Sequence, residues 1–239
     1  MAATKRREAS IPLLVNRLTE AKVKEIIIVT DKQDSKTERW GKDPRVQLIT
    51  ITGREGLFYE RFAAARQTSG KSVLFMDGNY PLSVKEINRF YKKAESGRDL
   101  TLNNKGYLLG EYPMNAKTSI HYFLNILLKR PKLLNHSLTE YPHAISRKLL
   151  HSLDPEDLMK PPVAYVKAVL SGFKISAPVR VKTAEGDVRC DEVFLGDHVE
   201  AIGLLLNERG EKAGFLDGKK HEAIVELREE EGKVNGGDE

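Results

Sequence analysis

The chain has 239 residues, of which 40% are hydrophobic and 31% are charged, a balance typical of a globular domain that buries its own core. The formal net charge of +5 permits an anionic ligand or an anionic membrane surface without requiring either. Cys190 is the single cysteine, which excludes an intramolecular disulfide and fits a reducing compartment. The most apolar run, Ile120 to Leu128, is far shorter than the roughly 20 residues of a spanning helix. We therefore expect a cytoplasmic protein with no transmembrane segment.

The first half of the chain alternates predicted helices and strands. Apolar residues at helical spacing predict helices over about Arg7 to Ala21, Gly56 to Thr68 and Ser83 to Ala94. Strands are predicted from runs rich in β-branched residues at Glu25 to Thr30, Val46 to Ile51, Ser72 to Met76 and Asp99 to Asn103. This alternation predicts an α/β fold, with a doubly wound, mostly parallel sheet and helices on both faces.

The second half is predicted to be more helical and less regular. We expect helices at Ala116 to Lys129, Ala144 to Leu153, Val163 to Leu170, Asp197 to Glu208 and His221 to Leu227. A short hairpin is predicted from Val179 to Thr183 and from Asp187 to Val193. The closing residues 228–239 are polar and Gly-rich, which predicts disorder.

The sequence Met76-Asp77-Gly78-Asn79 directly follows the third predicted strand. Ligands of open α/β sheets bind beyond the carboxyl ends of the strands, where Asp77 falls. A carboxylate there could hold a divalent cation that bridges two phosphates. The alternative is an aspartate that caps a turn before Pro81, and the sequence leaves both open.

Three blocks of the first half resemble family-2 glycosyltransferases in order and spacing. They are EIIIVTDKQDSKT (residues 25–37), the block from Gly53 to Gly70, and VLFMDGNYPL (residues 73–82). HSLTEYPHAISR (residues 136–147) and the segment 196–224 are similar to the acceptor side of small soluble members. The resemblance implies the GT-A fold, a nucleotide-diphospho-sugar donor and Mg²⁺ or Mn²⁺. Residues 1–105 would then form the nucleotide-sugar-binding half, and residues 106–227 the acceptor-side half of the same domain.

The resemblance also implies roles for individual residues on the donor side. Asp31, Arg54 and Gly56 would contact the donor, and Asp77 with Asn79 would hold the metal. The family's usual second aspartate is Asn79 here, and an amide oxygen binds a hard cation without adding charge. Thr30 stands where the family has another aspartate. Of the family's first strand, only about Lys5 to Ala9 remains.

Four further residues are candidates on the acceptor side. Asp197 could act as the general base, or it could cap a helix together with Glu200. His198 could be another metal ligand, and His143 could position the acceptor or a phosphate at a helix start; both could equally be structural histidines. Lys219 belongs to a basic cluster that could meet the diphosphate, or that could be a solvated surface.

The resulting hypothesis is a metal-dependent, inverting glycosyltransferase with an unknown acceptor, including a lipid-linked or cell-envelope glycan precursor. The alternative is a GT-A-fold protein that has lost catalysis and serves as a binding or regulatory partner. Peripheral membrane contact through Tyr122 to Leu128 stays open, although those residues also fit a buried helix. Basic residues are interleaved with acidic ones, so a nucleic-acid partner is not expected.

Overall fold

A computed structural model describes the backbone of residues 3–4 and, beyond them, residues 10–30, 40, 43–52, 58–183 and 191–216. Its contacts divide the chain into two compact units, Met1–Leu204 and Leu205–Glu239. No helix within the described ranges is long and apolar enough to cross a membrane. The predicted division at residue 105 stays a prediction.

The described ranges contain strands and helices in alternation. The strands are β1 (Ala3–Thr4), β2 (Ile26–Thr30), β3 (Val46–Thr50), β4 (Ser72–Asp77), β5 (Leu100–Asn103), β6 (His143–Ser146) and β7 (Ile175–Val179). The α-helices are α1 (Ser10–Glu20), α2 (Tyr59–Gln67), α3 (Val84–Glu95), α4 (Ala116–Leu127), α5 (Arg147–Ser152), α6 (Pro161–Leu170) and α7 (Glu192–Arg209). Short 3₁₀ helices lie at Gly106–Gly110, Pro131–Leu133 and Pro155–Met159. The predicted α/β class is confirmed.

The main sheet has the strand order β1-β4-β6-β5-β7. β1 is parallel to β4 and β5 is parallel to β7, whereas β6 is antiparallel to both β4 and β5. β2 and β3 form a parallel pair of their own, and β1 also contacts β2. We call the edge at which β1, β4, β5 and β7 end the carboxyl edge. Because β6 runs the opposite way, it begins at that edge.

One face of the strands packs against α1 and α3. Ile11, Leu14 and Leu18 of α1 share a hydrophobic core with Ile87 and Phe90 of α3. The β2 residues Ile26 and Ile28 and the β4 residues Leu74 and Met76 belong to the same core, as expected when alternate strand residues face one side. Ser83 caps the start of α3 in a capping box with Glu86, which confirms the predicted helix start at Ser83.

Two predictions for the second half are wrong. His143–Ser146 is a strand and not the start of a helix, because pairing with β4 on one side and β5 on the other outweighs the local helical pattern. The predicted helix start at Asp197 is wrong as well, since α7 already begins at Glu192; the middle of the predicted hairpin, residues 184–190, lies outside the described residues. The side chain of Asp191 accepts the Phe194 N–H at 2.9 Å, and this cap starts the helix earlier.

The described part of the first strand is short. In β1, Ala3 and Thr4 pair with Met76 and Asp77. The expected remnant at Lys5 to Ala9 lies outside the described residues and stays a prediction.

Candidate functional site

The carboxyl edge gathers residues from distant parts of the chain. Phe75 of β4 is paired with His143 of β6, so Asp77, two residues beyond Phe75, lies on the same edge as the residues that precede His143. β5 ends there at Asn103. The side chain of Asn103 donates to the carbonyls of Tyr141 and Val181 at 3.1 and 3.0 Å. The loops after β4, β5 and β7 and the segment before β6 therefore form one continuous rim.

Asp77 and Asn79 form a tight turn at this rim. Oδ1 of Asp77 accepts the Asn79 N–H at 2.8 Å, and its carbonyl accepts the Tyr80 N–H at 3.2 Å. Oδ1 of Asn79 is buried and has no hydrogen-bond partner among the described residues. Buried polar oxygens normally have a partner, so a carboxylate and an unsatisfied amide oxygen side by side fit a hard divalent cation.

The described residues contain no group of three or more His, Cys, Asp or Glu side chains placed to hold a metal. Asp31, Arg54, Gly56 and Lys219 lie outside the described residues. Their predicted roles are not tested.

Arg61 of α2 holds the segment that precedes β6. The Arg61 side chain is buried, and it donates to the carbonyls of Leu138 and Thr139 and to the Tyr141 hydroxyl, each at 2.8 Å. Its guanidinium lies 4.3 Å from the ring centroids of both Phe58 and Tyr141. Sequence reasoning did not identify Arg61, because nothing in its local pattern distinguishes a buried arginine from an exposed one.

His143 is buried in β6. Its Nδ1 lies 2.8 Å from the Glu140 carbonyl, so Nδ1–H donates to that oxygen. The ring is stacked between Phe75 and Tyr141, with centroid distances of 5.3 and 5.4 Å. Burial holds the pKa of His143 well below its usual range, so the imidazole is neutral. The predicted helix start at His143 is wrong, and its contacts are those of a structural histidine.

Asp197 lies in the second turn of α7 and not at the helix start. Partial burial raises its pKa to about 6, and repulsion from Glu200 and Asp191 acts in the same direction against the charge of Lys160. A carboxylate that titrates near neutral pH is suited to general-base catalysis. The alternative, a helix cap at Asp197, is wrong because Asp191 fills that role.

His198, the residue after Asp197 in α7, is fully buried. Its Nδ1–H donates to the Phe194 carbonyl at 2.8 Å, which leaves the lone pair on Nε2. The ring lies 4.4 Å from that of Phe194 and 5.3 Å from that of His121 on α4. Burial lowers the pKa of His198 and lowers that of His121 to about 3. His198 therefore lies next to His121, and both imidazoles are neutral.

Three charged side chains that sequence reasoning missed meet beside the rim. Nζ of Lys105 lies 3.5 Å from Oε2 of Glu140, and Nζ of Lys117 lies 2.9 Å from Oε1. Lys105 is only 2% exposed and also donates to the Thr183 hydroxyl at 2.7 Å. Burial acts to raise the pKa of Glu140, but the nearby positive charges outweigh it and hold the pKa at about 2. We call these three residues the lysine–glutamate cluster.

Comparison with known proteins rests on structure. No family model matches the chain, and no curated protein matches it by sequence. A solved mycobacterial protein superimposes with a TM-score of 0.60 at 15% identity, over 91% of this chain and 75% of the other. Glucosyl-3-phosphoglycerate synthase from Mycobacterium tuberculosis, solved with UDP, gives a TM-score of 0.56 at 17% identity over 91% and 80%.

The third neighbour is a mannosyltransferase from Pyrobaculum calidifontis in complex with GDP-Man and Mn²⁺. Its TM-score is 0.56 at 14% identity, over 84% of this chain and 63% of the other. This chain has the GT-A fold. Identities this low establish the fold alone, so the donor, the acceptor and the chemistry are argued from the residues of the site.

Proposed function

We propose that this GT-A-fold protein is a glycosyltransferase that takes a sugar from a nucleotide-diphospho-sugar donor. The observation that carries the proposal is the buried, unsatisfied Oδ1 of Asn79 next to Asp77 at the carboxyl end of β4. That is where ligands of open α/β sheets bind. Two neighbours of the same fold were solved with UDP and with GDP-Man and Mn²⁺, which supports a donor of this class.

Asp77 and Asn79 would hold Mg²⁺ or Mn²⁺. When bound, the cation neutralises the charge that develops on the departing diphosphate. The turn from Asp77 to Tyr80 holds Oδ1 of Asp77 against the Asn79 N–H at the end of β4, so this carboxylate is in place before the donor arrives.

Asp197 would act as the general base that accepts the proton of the acceptor hydroxyl during inverting transfer. Its pKa of about 6 leaves it mostly ionised at pH 7 yet basic enough to accept a proton. Arg61 is a positioning residue, because it fixes the segment that carries Glu140. We place the protein in the cytoplasm, because a single cysteine fits a reducing compartment.

The test is thermal unfolding with UDP-, GDP- and TDP-sugars, each with Mn²⁺ and with chelator. A ligand at 100 times its Kd adds about 2.7 kcal/mol of stability, so one donor class is expected to raise Tm only with Mn²⁺. Asp77→Asn should abolish the shift. Asp154→Asn, a carboxylate at the start of the 3₁₀ helix Pro155–Met159, is the matched control. A full shift in the Asp77 variant would contradict the proposed site.

The alternative is a catalytically degenerate GT-A protein that binds a nucleotide sugar and acts as a binding or regulatory partner. It is favoured by one specific observation, the uncharged Asn79 in place of a carboxylate. Incubation with the stabilising donor and a panel of acceptors separates the two. Release of nucleoside diphosphate supports transfer, whereas a Tm shift with no release from any acceptor supports the alternative.

A further inference from the structure

Polar atoms without partners are concentrated around the lysine–glutamate cluster. Among the described residues, the following are buried and accept or donate no hydrogen bond: Thr118 Oγ1, His121 Nε2, Asn135 Oδ1, both ring nitrogens of His136, and His198 Nε2. A buried polar atom that is left without a partner destabilises the folded state. A native protein supplies partners for such groups, either ordered water or a ligand.

These atoms belong to one region. Nδ2 of Asn135 donates to the Lys105 carbonyl at 3.0 Å, and Gly106 brings the next stretch of backbone close to Nε2 of His136. His121 faces His198 across the contact between α4 and α7. The charges of Glu140, Lys117 and Lys105 all act on His121, which shows that the cluster and the histidines share one buried environment.

Asn125, one turn further along the same face of α4, is a buried polar residue whose side-chain amide and oxygen both have hydrogen-bond partners. Asn125 donates to the carbonyls of Leu134 and His136 at 2.8 and 2.9 Å and accepts from the Tyr165 hydroxyl at 2.7 Å. Thr118 and His121, on the same buried face of α4, have unsatisfied atoms instead. Within α4, the unsatisfied atoms of Thr118 and His121 therefore lie nearer the start of the helix than the satisfied Asn125.

The charge of this region has a definite sign. Lys105 and Lys117 contribute two positive charges and Glu140 contributes one negative charge, so +2 − 1 leaves +1. His121 and His198 are neutral because burial lowers their pKa. Within the described ranges, Lys105 and Lys117 form ion pairs with Glu140 alone, and an anion is the natural partner of the remaining positive charge. The Lys117 and Glu140 side chains are 16% and 10% exposed, so the cluster is open to solvent on that side.

The buried atoms without hydrogen-bond partners indicate which polar groups the ligand carries besides its anionic group. His198 Nε2 is an acceptor because its Nδ1–H is already donated to Phe194, and Asn135 Oδ1 is an acceptor by its chemistry. Acceptors need donors, and hydroxyl groups supply them. β5, which leads into Lys105, is separated from β4 by one strand. The ligand would therefore lie on the order of 10 Å from the strand that carries Asp77.

We propose that the lysine–glutamate cluster, with His121, Asn135, His136 and His198, binds a small anion that carries hydroxyl groups, and that this compound is the acceptor of the transfer. The carboxylate or phosphate of the ligand lies against Lys117 and Lys105, and its hydroxyls donate to the imidazoles. The binding site stands on its own residues. The acceptor role rests on the proposed glycosyltransferase function.

The experiment is calorimetric titration of the full chain, without nucleotide or metal, with glycerol 3-phosphate, glycerate, inorganic phosphate and glycerol. We expect glycerol 3-phosphate or glycerate to bind, inorganic phosphate to bind more weakly, and glycerol not to bind. Comparison of the first two identifies the anionic group. Equal binding of inorganic phosphate and glycerol 3-phosphate would refute the hydroxyl contacts, and no binding of any anion would refute the site.

Two variants and one control locate the binding. Lys117→Met should weaken the bound anion about ten-fold or more, because a charge-assisted hydrogen bond is lost. His121→Phe should remove the advantage of glycerol 3-phosphate over inorganic phosphate. Lys132→Met, on the exposed 3₁₀ helix Pro131–Leu133, should change neither. Unchanged affinity in a folded Lys117→Met variant overturns the proposal, since its side chain is partly exposed and its loss is compatible with folding.

The two proposals fail separately. Asp77→Asn should retain binding of the hydroxylated anion while losing the Mn²⁺-dependent donor shift. An intact donor shift without anion binding overturns only the acceptor site. Anion binding without any donor shift overturns the glycosyltransferase function and the acceptor role that rests on it, and leaves the anion site in place.

Discussion

Arg61 contacts Tyr141 both through a hydrogen bond and through a cation–π interaction. Nε of Arg61 donates to the Tyr141 hydroxyl oxygen at 2.8 Å, and the guanidinium lies over the ring of the same tyrosine at 4.3 Å from its centroid. The hydroxyl in turn donates to Glu60 at 3.1 Å. Through this contact α2 fixes the segment before β6 at the rim of the sheet.

Arg61→Met is therefore expected to destabilise the protein by about 2–5 kcal/mol, because the Leu138 and Thr139 carbonyls lose their donors in a buried setting. Urea unfolding measures the loss. Arg66→Met, on an exposed position of the same helix, should change the unfolding free energy by less than about 0.5 kcal/mol. Equal effects of the two substitutions would contradict the role assigned to Arg61.

Ser83→Ala should cost about 1 kcal/mol of stability, because the hydroxyl that accepts the Glu86 N–H at 3.3 Å is removed from the start of α3. Ser96→Ala at the other end of α3 is the control, since its hydroxyl donates to the Lys93 carbonyl in an exposed position. Thermal unfolding of both variants checks this, and a larger loss at Ser96 would count against it.

Asn79→Asp should tighten Mn²⁺ binding about ten-fold, because a second charged oxygen ligand is added beside Asp77. Without metal the same variant should melt lower than the wild type, since two carboxylates repel each other there. Metal titration followed by Tm measures both effects. Asn207→Asp, on an exposed position of α7, should change neither the Mn²⁺ affinity nor the Tm without metal. If Asn79→Asp binds Mn²⁺ no more tightly than the wild type, Asp77 and Asn79 are not the metal site.

His121 should make the protein less stable in acid. Its pKa is about 3 in the folded state against 6.5 as the ordinary value, so the unfolded chain binds the proton more readily. The stabilising contribution is complete above pH 6.5 and is lost as pH falls toward 3. Glu140, Lys105, Lys117 and His198 surround it.

The measurement compares the wild type with His121→Phe at pH 8 and pH 5. The difference between their unfolding free energies should change by about 2 kcal/mol in favour of the variant at the lower pH. His151→Phe, at an exposed histidine, should show no such change. If the difference in unfolding free energy between the wild type and His121→Phe does not change with pH, His121 is not a buried, neutral imidazole.

Asp197→Asn should stabilise the protein at pH 8 and have little effect near pH 3. The pKa of Asp197 is raised from 3.8 to about 6 in the folded state, so the stabilising contribution of this carboxyl is complete below pH 3.8 and is lost as pH rises through 6. As general base, Asp197 would also give a transfer rate that rises with pH near 6, and the variant would lose transfer while keeping the donor-induced Tm shift. Glu192→Gln, at an exposed position of α7, is the control and should keep the transfer rate. If Asp197→Asn transfers the sugar at the wild-type rate, Asp197 is not the general base.

Much of the fold could be predicted from the sequence, because the strands of the first half are continuous apolar runs. β6 could not, since His143-Ala144-Ile145-Ser146 is held as a strand by neighbours on both sides and not by its own composition. The strand end at Asp77 was predictable. Lys105 and Glu140 were not, because lysine and glutamate are normally exposed and their pairing comes only from the sheet topology.

The reversed direction of β6 has a consequence for how specificity can diverge on this scaffold. In the proposed function the residues that would contact the donor follow β4, whereas Glu140 and its neighbours precede β6, so the two substrates would be recognised by separate stretches of chain that share one rim. Exchanging the stretch 134–142 for that of another GT-A protein would change the preferred acceptor and leave donor recognition in place. Such modular exchange allows one donor chemistry to be redirected to new acceptors in a single step.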